Sequence, residues 1–191
     1  GKAMQNAVHK NEGGMVAVLG EEIKKIEEIL NINKNKFSCY LANDNSIGQI
    51  VISGKIDDID EFINELKKLN IKSIKLPVSA PFHCVLMAPA TRIMSKELIE
   101  TNFSNPKNMI VSNVTAEPSR DPEKIKNLLI QQIEKPVRWR ESIINMIKLG
   151  NKKFIEVGPG KVLSGLVKRI DRNVELIQVN NIEDLNSLKK I

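Results

Sequence analysis

The chain holds two histidines, and one of them, His83, closes the apolar run Leu76-Pro77-Val78-Ser79-Ala80-Pro81-Phe82 just ahead of a stretch with helical spacing. A neutral imidazole at such a junction can take a proton from a nucleophile and return it to a leaving group. An extended segment yielding to a helix is also a place where a side chain can face a cleft. Position alone equally suits a packed or surface histidine. His9 lies in a polar, glycine-flanked loop and reads as solvated.

A base needs a partner, and no serine or cysteine stands in a recognisable nucleophile setting. Cys84 follows His83 directly, but adjacent residues on an extended segment point to opposite sides and cannot easily share a proton. No G-x-S-x-G elbow occurs. Ser164, in Leu163-Ser164-Gly165, falls within a predicted helix and reads as small-residue packing. Val157-Gly158-Pro159-Gly160-Lys161 joins a strand to a helix, where glycines can cradle an anion. It lacks the phosphate-loop and G-x-G-x-x-G patterns, so a tight turn is the better reading. Gln132 sits among Ile130 and Ile133 and needs hydrogen-bond partners if buried. No His/Cys/Asp/Glu cluster has metal-ligand spacing.

The elements that must position these residues follow from periodicity. Residues 1–8 read as the tail of a helix. Met15–Leu19 is a short strand, and Glu21–Ile32 a helix with Ile23, Ile26, Ile29 and Leu30 on one face. Strands over Phe37–Leu41 and Gln49–Ser53 are joined by the turn Asn43–Gly48. Asp57–Leu69 is a second amphipathic helix and Ile71–Leu76 a fourth strand. The order β-α-β-β-α-β is that of a ferredoxin-like unit, expected over 12–77. Beyond His83, a helix is predicted over 85–101 and a strand over Met109–Val114. Asp121-Pro122-Glu123 supplies cap, first-position proline and first-turn acid for a helix running to about Glu134. After a helix from Trp139, strands at Lys153–Val157 and Val174–Val179 alternate with helices over 161–170 and 182–190. That alternation implies a mostly parallel sheet.

Composition narrows the partners. The 41% hydrophobic and 27% charged content belongs to a globular chain, and with only 4% aromatics its core must rely on Ile, Leu, Val and Met. The net charge of +6 suits an acidic partner, yet the lysines are spread along the chain, which also suits a solvated surface. No aromatic-plus-arginine platform points to nucleic acid. Cys39 and Cys84 lie in apolar surroundings and read as buried free thiols of a reducing compartment. With no apolar run near the ~20 residues of a membrane span, the expectation is a soluble, cytoplasmic protein.

Five stretches, spread in order along the chain, carry a resemblance: Gly1-Lys2-Ala3-Met4-Gln5, Asn45 to Gly54, Leu76 to Met87, Pro136-Val137-Arg138-Trp139 and Glu156 to Leu163. Together they resemble the malonyl-CoA:acyl carrier protein transacylases of bacterial-type fatty-acid synthesis and the acyltransferase domains of polyketide and fatty-acid synthases. The resemblance implies an α/β fold: a hydrolase-like parallel-sheet acyltransferase domain, here residues 1–11 and 78–191, with a ferredoxin-like subdomain inserted at 12–77. It implies that His83 is the base of a Ser-His dyad in ping-pong acyl transfer, and that Gln132 occupies the position whose carbonyl accepts a hydrogen bond from that histidine. Asn43 and Gln49 match positions lining the substrate cleft. Phe82 resembles the first member of the Phe-His pair of malonyl-selective domains. The implied substrates are malonyl-CoA and phosphopantetheinylated acyl carrier protein, with no bound cofactor or metal, no nucleic acid or membrane partner, and a monomeric state.

The same resemblance sets an expectation about what these residues omit. The family's G-H-S-x-G elbow, its oxyanion-hole glutamine motif and the arginine that grips the malonyl carboxylate are not among them, so the chain is expected to be inactive alone. A non-catalytic carrier-protein-binding module and a fragment complemented by a second chain are the alternative readings.

Overall fold

The computed structural model describes residues 2–5, 7–9 and 12–188. The elements in chain order are α1 (Lys2–Gln5), β1 (Gly13–Leu19), α2 (Ile23–Asn33), β2 (Cys39–Ser46), β3 (Gln49–Lys55), α3 (Ile56–Lys68), β4 (Lys72–Lys75), α4 (Ala88–Glu100), β5 (Ile110–Val111), β6 (Pro118–Ser119), α5 (Pro122–Gln131), α6 (Trp139–Lys148), β7 (Lys153–Val157), α7 (Val162–Ile170), β8 (Glu175–Val179) and α8 (Ile182–Leu188). The chain divides into two compact units, one ending at Ser142 and one beginning at Ile143.

In the first unit four strands form an antiparallel sheet in the order β2-β3-β1-β4. Strand period 2 sorts their side chains. Val16 and Val18 of β1 and Ile50 and Ile52 of β3 face α2 and α3, which cover them with Ile26, Ile29, Ile59, Phe62 and Leu66. Spacings of three and four along α3 make that stripe, while Asp57 and Asp58 in its first turn and Lys67 and Lys68 in its last suit the helix dipole. Met15 and Val51 point the other way, into a second cluster with Ala42, Leu76 and Phe82.

Three boundaries depart from the sequence expectation. The segment Asn43–Ser46 is strand rather than turn: only Ile47 and Gly48 make the turn, Gly48 at φ +73°. Two bulges let β2 continue, and its outer edge is satisfied by a distant segment, with Asp44 N–H donating to the Val137 carbonyl (2.9 Å) and Val137 N–H to that of Ala42 (2.8 Å). The strand predicted over Met109–Val114 shrinks to Ile110–Val111, because the chain turns back through residues 112–117 with Ala116 at φ +58° to pair with β6. Helix α5 stops at Gln131, ahead of Pro136. Its start is as expected: the Asp121 carboxylate accepts from Glu123 N–H (2.9 Å) and Lys124 N–H (3.2 Å).

In the second unit β7 and β8 pair in parallel, as the alternating rhythm implies, with α7 burying Ser164, Leu166 and Val167. The helix expected over 182–190 is seen over Ile182–Leu188; residues 189 and 190 lie outside the described residues. No described helix is long and apolar enough to cross a membrane.

Candidate active site

The segment bearing His83 is laid onto the sheet by an absence of side chain. Pro81 packs against the bare backbone of Gly13, where a Cβ would fall within 2.8 Å of the proline ring atoms Cδ, Cγ and N, well short of contact distance. Phe82, half-buried, then inserts between the sheet cluster of Met15, Ala42 and Val51 and a second cluster of Met87, Ala90 and Ile133. Anchored on both sides, the chain passes through His83 at φ +61°, a left-handed conformation that costs a residue with a Cβ about 1–2 kcal/mol. The next side chain, Cys84, is buried and its thiol donates to the Pro81 carbonyl at 3.1 Å.

The His83 ring is half-buried, and its Nδ1 lies 2.8 Å from the main-chain carbonyl oxygen of Gln132. A carbonyl only accepts, so Nδ1 carries the proton and Nε2 carries the lone pair. The acceptor is available because Gln132 caps the C-terminus of α5, where helix carbonyls lack intrahelical partners. Gln132 thus meets the histidine through its backbone; its side-chain Oε1 accepts from Asn113 Nδ2 at 3.4 Å.

Asn43 and Gln49 sit elsewhere but on a related surface. Asn43 is opposite Val51 across β2 and β3, and Gln49 is two residues before Val51, so the register puts both on the sheet face where Phe82 packs. Phe82, His83 and Gln132 are brought together directly. A groove of about 400 Å³ runs beside His83, with Phe37, Tyr40, Leu41, Val85 and Lys135 among its walls.

Neither cysteine is an activated nucleophile. Burial, aided by the nearby Asp58 charge, pushes the Cys39 thiol up to about 12, and burial raises that of Cys84 as well. Both are free and buried, as their apolar neighbours implied. Among the described residues no group of three or more His, Cys, Asp or Glu side chains could hold a metal ion. His9 is exposed.

Comparison with known proteins supplies the family. Residues 1–187 match the acyl transferase domain. The chain belongs to that family. The malonyl CoA-acyl carrier protein transacylase of Bacillus subtilis strain 168 is 39% identical over 188 residues, covering 97% of this chain and 59% of that protein. The crystal structure of the acyl-carrier-protein-S-malonyltransferase from Bartonella henselae superposes with a TM-score of 0.92 at 38% identity, over 99% of this chain and 60% of that one. A type II polyketide synthase acyl carrier protein in complex with its malonyl-transacylase matches at a TM-score of 0.91 and 30% identity, over 100% of this chain and 62% of the other. The chain therefore spans about three fifths of the length of the relatives it matches.

Two polar devices of this acyl transferase domain have no counterpart in the sequence reading. At the strand-to-helix turn Gly158–Gly160, the Glu156 carboxylate accepts from Leu163 N–H (3.0 Å) and Ser164 N–H (2.7 Å). Hydrogen bonding from Ser164 holds that carboxyl below the usual carboxylate range. The α7 N-terminus that could have cradled an anion is thus occupied by the chain's own acid. The second device is the pair Asp44–Arg140: Arg140 Nε donates to Asp44 Oδ2 at 2.9 Å and Nη2 lies 2.8 Å from the same oxygen. Burial raises the Asp44 carboxyl in spite of Arg140, and its Oδ1 is buried without a hydrogen-bond partner. Nothing in the local sequence marks this pair, because its members are 96 residues apart.

Proposed function

We propose that this chain is part of a malonyl-CoA:acyl carrier protein transacylase in which His83 is the general base and acid. The observation that carries the reading is the 2.8 Å contact from Nδ1 to the Gln132 main-chain carbonyl, which fixes the ring with its basic nitrogen away from the acceptor. The malonyltransferases named above, aligned over 97% or more of the chain, support the reaction class.

In the proposed first half-reaction a serine hydroxyl gives its proton to Nε2 as Oγ attacks the malonyl thioester carbonyl. The C–S bond to CoA breaks, a malonyl ester forms, and the imidazolium returns the proton to the leaving thiolate. The second half runs in reverse: the phosphopantetheine thiol of the carrier gives its proton to Nε2, its sulfur takes the malonyl group, and the serine oxygen recovers the proton. The serine and the arginine that would grip the malonyl carboxylate are assigned by resemblance to parts of the protein outside this sequence. Asn43 and Gln49 would line the cleft, and Phe82 would favour malonyl over bulkier acyl groups. Within the same reading, residues 12–77 form the ferredoxin-like subdomain and β7 and β8 belong to a hydrolase-like parallel sheet. The enzyme would act without a bound cofactor, as a monomer, in the cytoplasm, where two free thiols persist. The net charge of +6 complements an acidic carrier protein.

The test uses the longest polypeptide that carries this sequence. His83→Ala should lower the rate of acyl-enzyme formation from labelled malonyl-CoA by about 10²–10⁴-fold with an unchanged circular dichroism spectrum. A rate within threefold of wild type, about 0.7 kcal/mol, would dispose of the assignment. The 191-residue chain alone should acquire no hydroxylamine-sensitive label.

A further inference from the structure

We infer that Arg138 is a positioning residue for His83, acting through Asn113 and Gln132. The inference rests on the reading of His83 as the base.

The turn over residues 112–117 is closed by Ser112 N–H to the Glu117 carbonyl (3.3 Å) and Ala116 N–H to the Ser112 carbonyl (2.8 Å), but these bonds leave two of its other carbonyls to outside donors. Ala116 is fully buried at a positive φ, and the carbonyls of Val114 and Thr115 have to find donors outside the turn's own hydrogen bonds. Arg138 supplies them: Nη1 donates to the Val114 carbonyl (3.3 Å) and the Thr115 carbonyl (3.2 Å). The other edge of the guanidinium is gripped by Glu141, with Nε to Oε2 at 2.7 Å and Nη2 to Oε1 at 2.6 Å. Only a planar fork with five donors can satisfy a bidentate carboxylate and two carbonyls at once, so lysine cannot take its place. The backbone joins in, with Arg138 N–H donating to the Asn113 carbonyl at 2.9 Å.

Asn113 is the residue this clamp delivers. Its Nδ2 reaches Gln132 Oε1 at 3.4 Å, the long end of hydrogen-bond range, so a shift of a few tenths of an ångström in the turn breaks the contact. Gln132 lies just past the last residue of α5, where its peptide plane is held by one long turn bond, Ile133 N–H to the Ile130 carbonyl at 3.3 Å. A void of about 70 Å³ borders both Asn113 and Gln132 and gives them room to relax. Rotation of that peptide is what would swing the carbonyl off His83 Nδ1. The clamp therefore acts on which ring nitrogen holds the proton.

The readout is the tautomer of His83. In the longest polypeptide that carries this sequence, the ¹⁵N shifts of the His83 ring are assigned by their loss in His83→Ala, at a pH where the ring is neutral. Wild type should show His83 protonated at Nδ1. In Arg138→Ala and in Asn113→Ala the ratio of Nδ1–H to Nε2–H should fall by about fivefold, the shift that goes with loosening one ordinary hydrogen bond. Arg138→Lys should behave like Arg138→Ala. An unchanged ratio in either alanine variant, with circular dichroism showing a native fold, overturns the inference. Should Arg138→Ala fail to fold, Arg138→Lys takes its place, and an unchanged ratio there overturns the inference. Wild-type His83 protonated at Nε2 would strike the reading of the base itself, and the inference with it.

Discussion

The unit ending at Ser142 and the unit from Ile143 are both built of helices on strands, yet the first has a large fully buried core and the second a small one, of Ile143, Leu166, Val167 and Val179. In the first, Ile26, Ile59, Phe62 and Leu66 are fully buried beneath two helices. In the second, Val157 is 78% exposed, Val162 73% and Ile182 72%. Every interior strand of an antiparallel sheet has a hydrogen-bonded neighbour on each side, and one helical layer closes its core. A parallel pair is ordinarily buried on both faces, and α7, α8 and the end of α6 do not supply that cover.

The sharpest way to break that contrast is to cut each region in the same manner. Phe62→Ala should cost about 3–5 kcal/mol, whereas Val157→Ala should stay within about 0.5 kcal/mol, both read from urea unfolding. Similar losses from the two would refute the difference. Next in size, Arg140→Met should cost about 3–5 kcal/mol by leaving the Asp44 charge buried and unpaired. Asp44→Asn should cost far less at neutral pH, because burial already opposes that charge.

Acid should move the two regions in opposite directions. Asp44 has a raised folded-state value, so its contribution is fully present below the unfolded value of about 3.9 and is lost as pH rises through the folded one. Glu156 has a lowered value, so its contribution is present above the unfolded value of about 4.3 and is lost as pH falls through the folded one. Hydrogen exchange between pH 3 and 6, corrected for intrinsic rates, should show Leu163 and Ser164 amides losing protection on acidification. Asp44→Asn should flatten the pH dependence of strands β2 and β3 over the same window. The smallest effect expected is from Glu156→Gln, which keeps an acceptor for α7 and should lower stability by less than about 1 kcal/mol while abolishing the acid sensitivity of its cap.

How much of this was legible in the sequence depends on the range of the interaction that decides it. The core stripe of α3 and the Asp121 cap are local patterns, and they stand where periodicity and cap chemistry put them. Asn43–Ser46 has turn composition, but a partner at Val137 makes it strand, and no local window contains both. At the candidate site, residue type led to His83. The acceptor at Gln132 is a main-chain oxygen that any residue would present; its apolar neighbours singled the residue out, but only the family resemblance pointed to that role. The left-handed backbone of His83 likewise follows from the anchors on either side, Pro81 and Phe82 before it and buried Cys84 after it, rather than from histidine.

Gly13 binds nothing and lies in the first position of β1, yet Pro81 rests on the space where its side chain would be. A methyl group there has to displace the proline, and two peptide units later the displacement arrives at the imidazole. An alanine at residue 13 would leave the reactive groups unaltered and carry the histidine out of register with its acceptor.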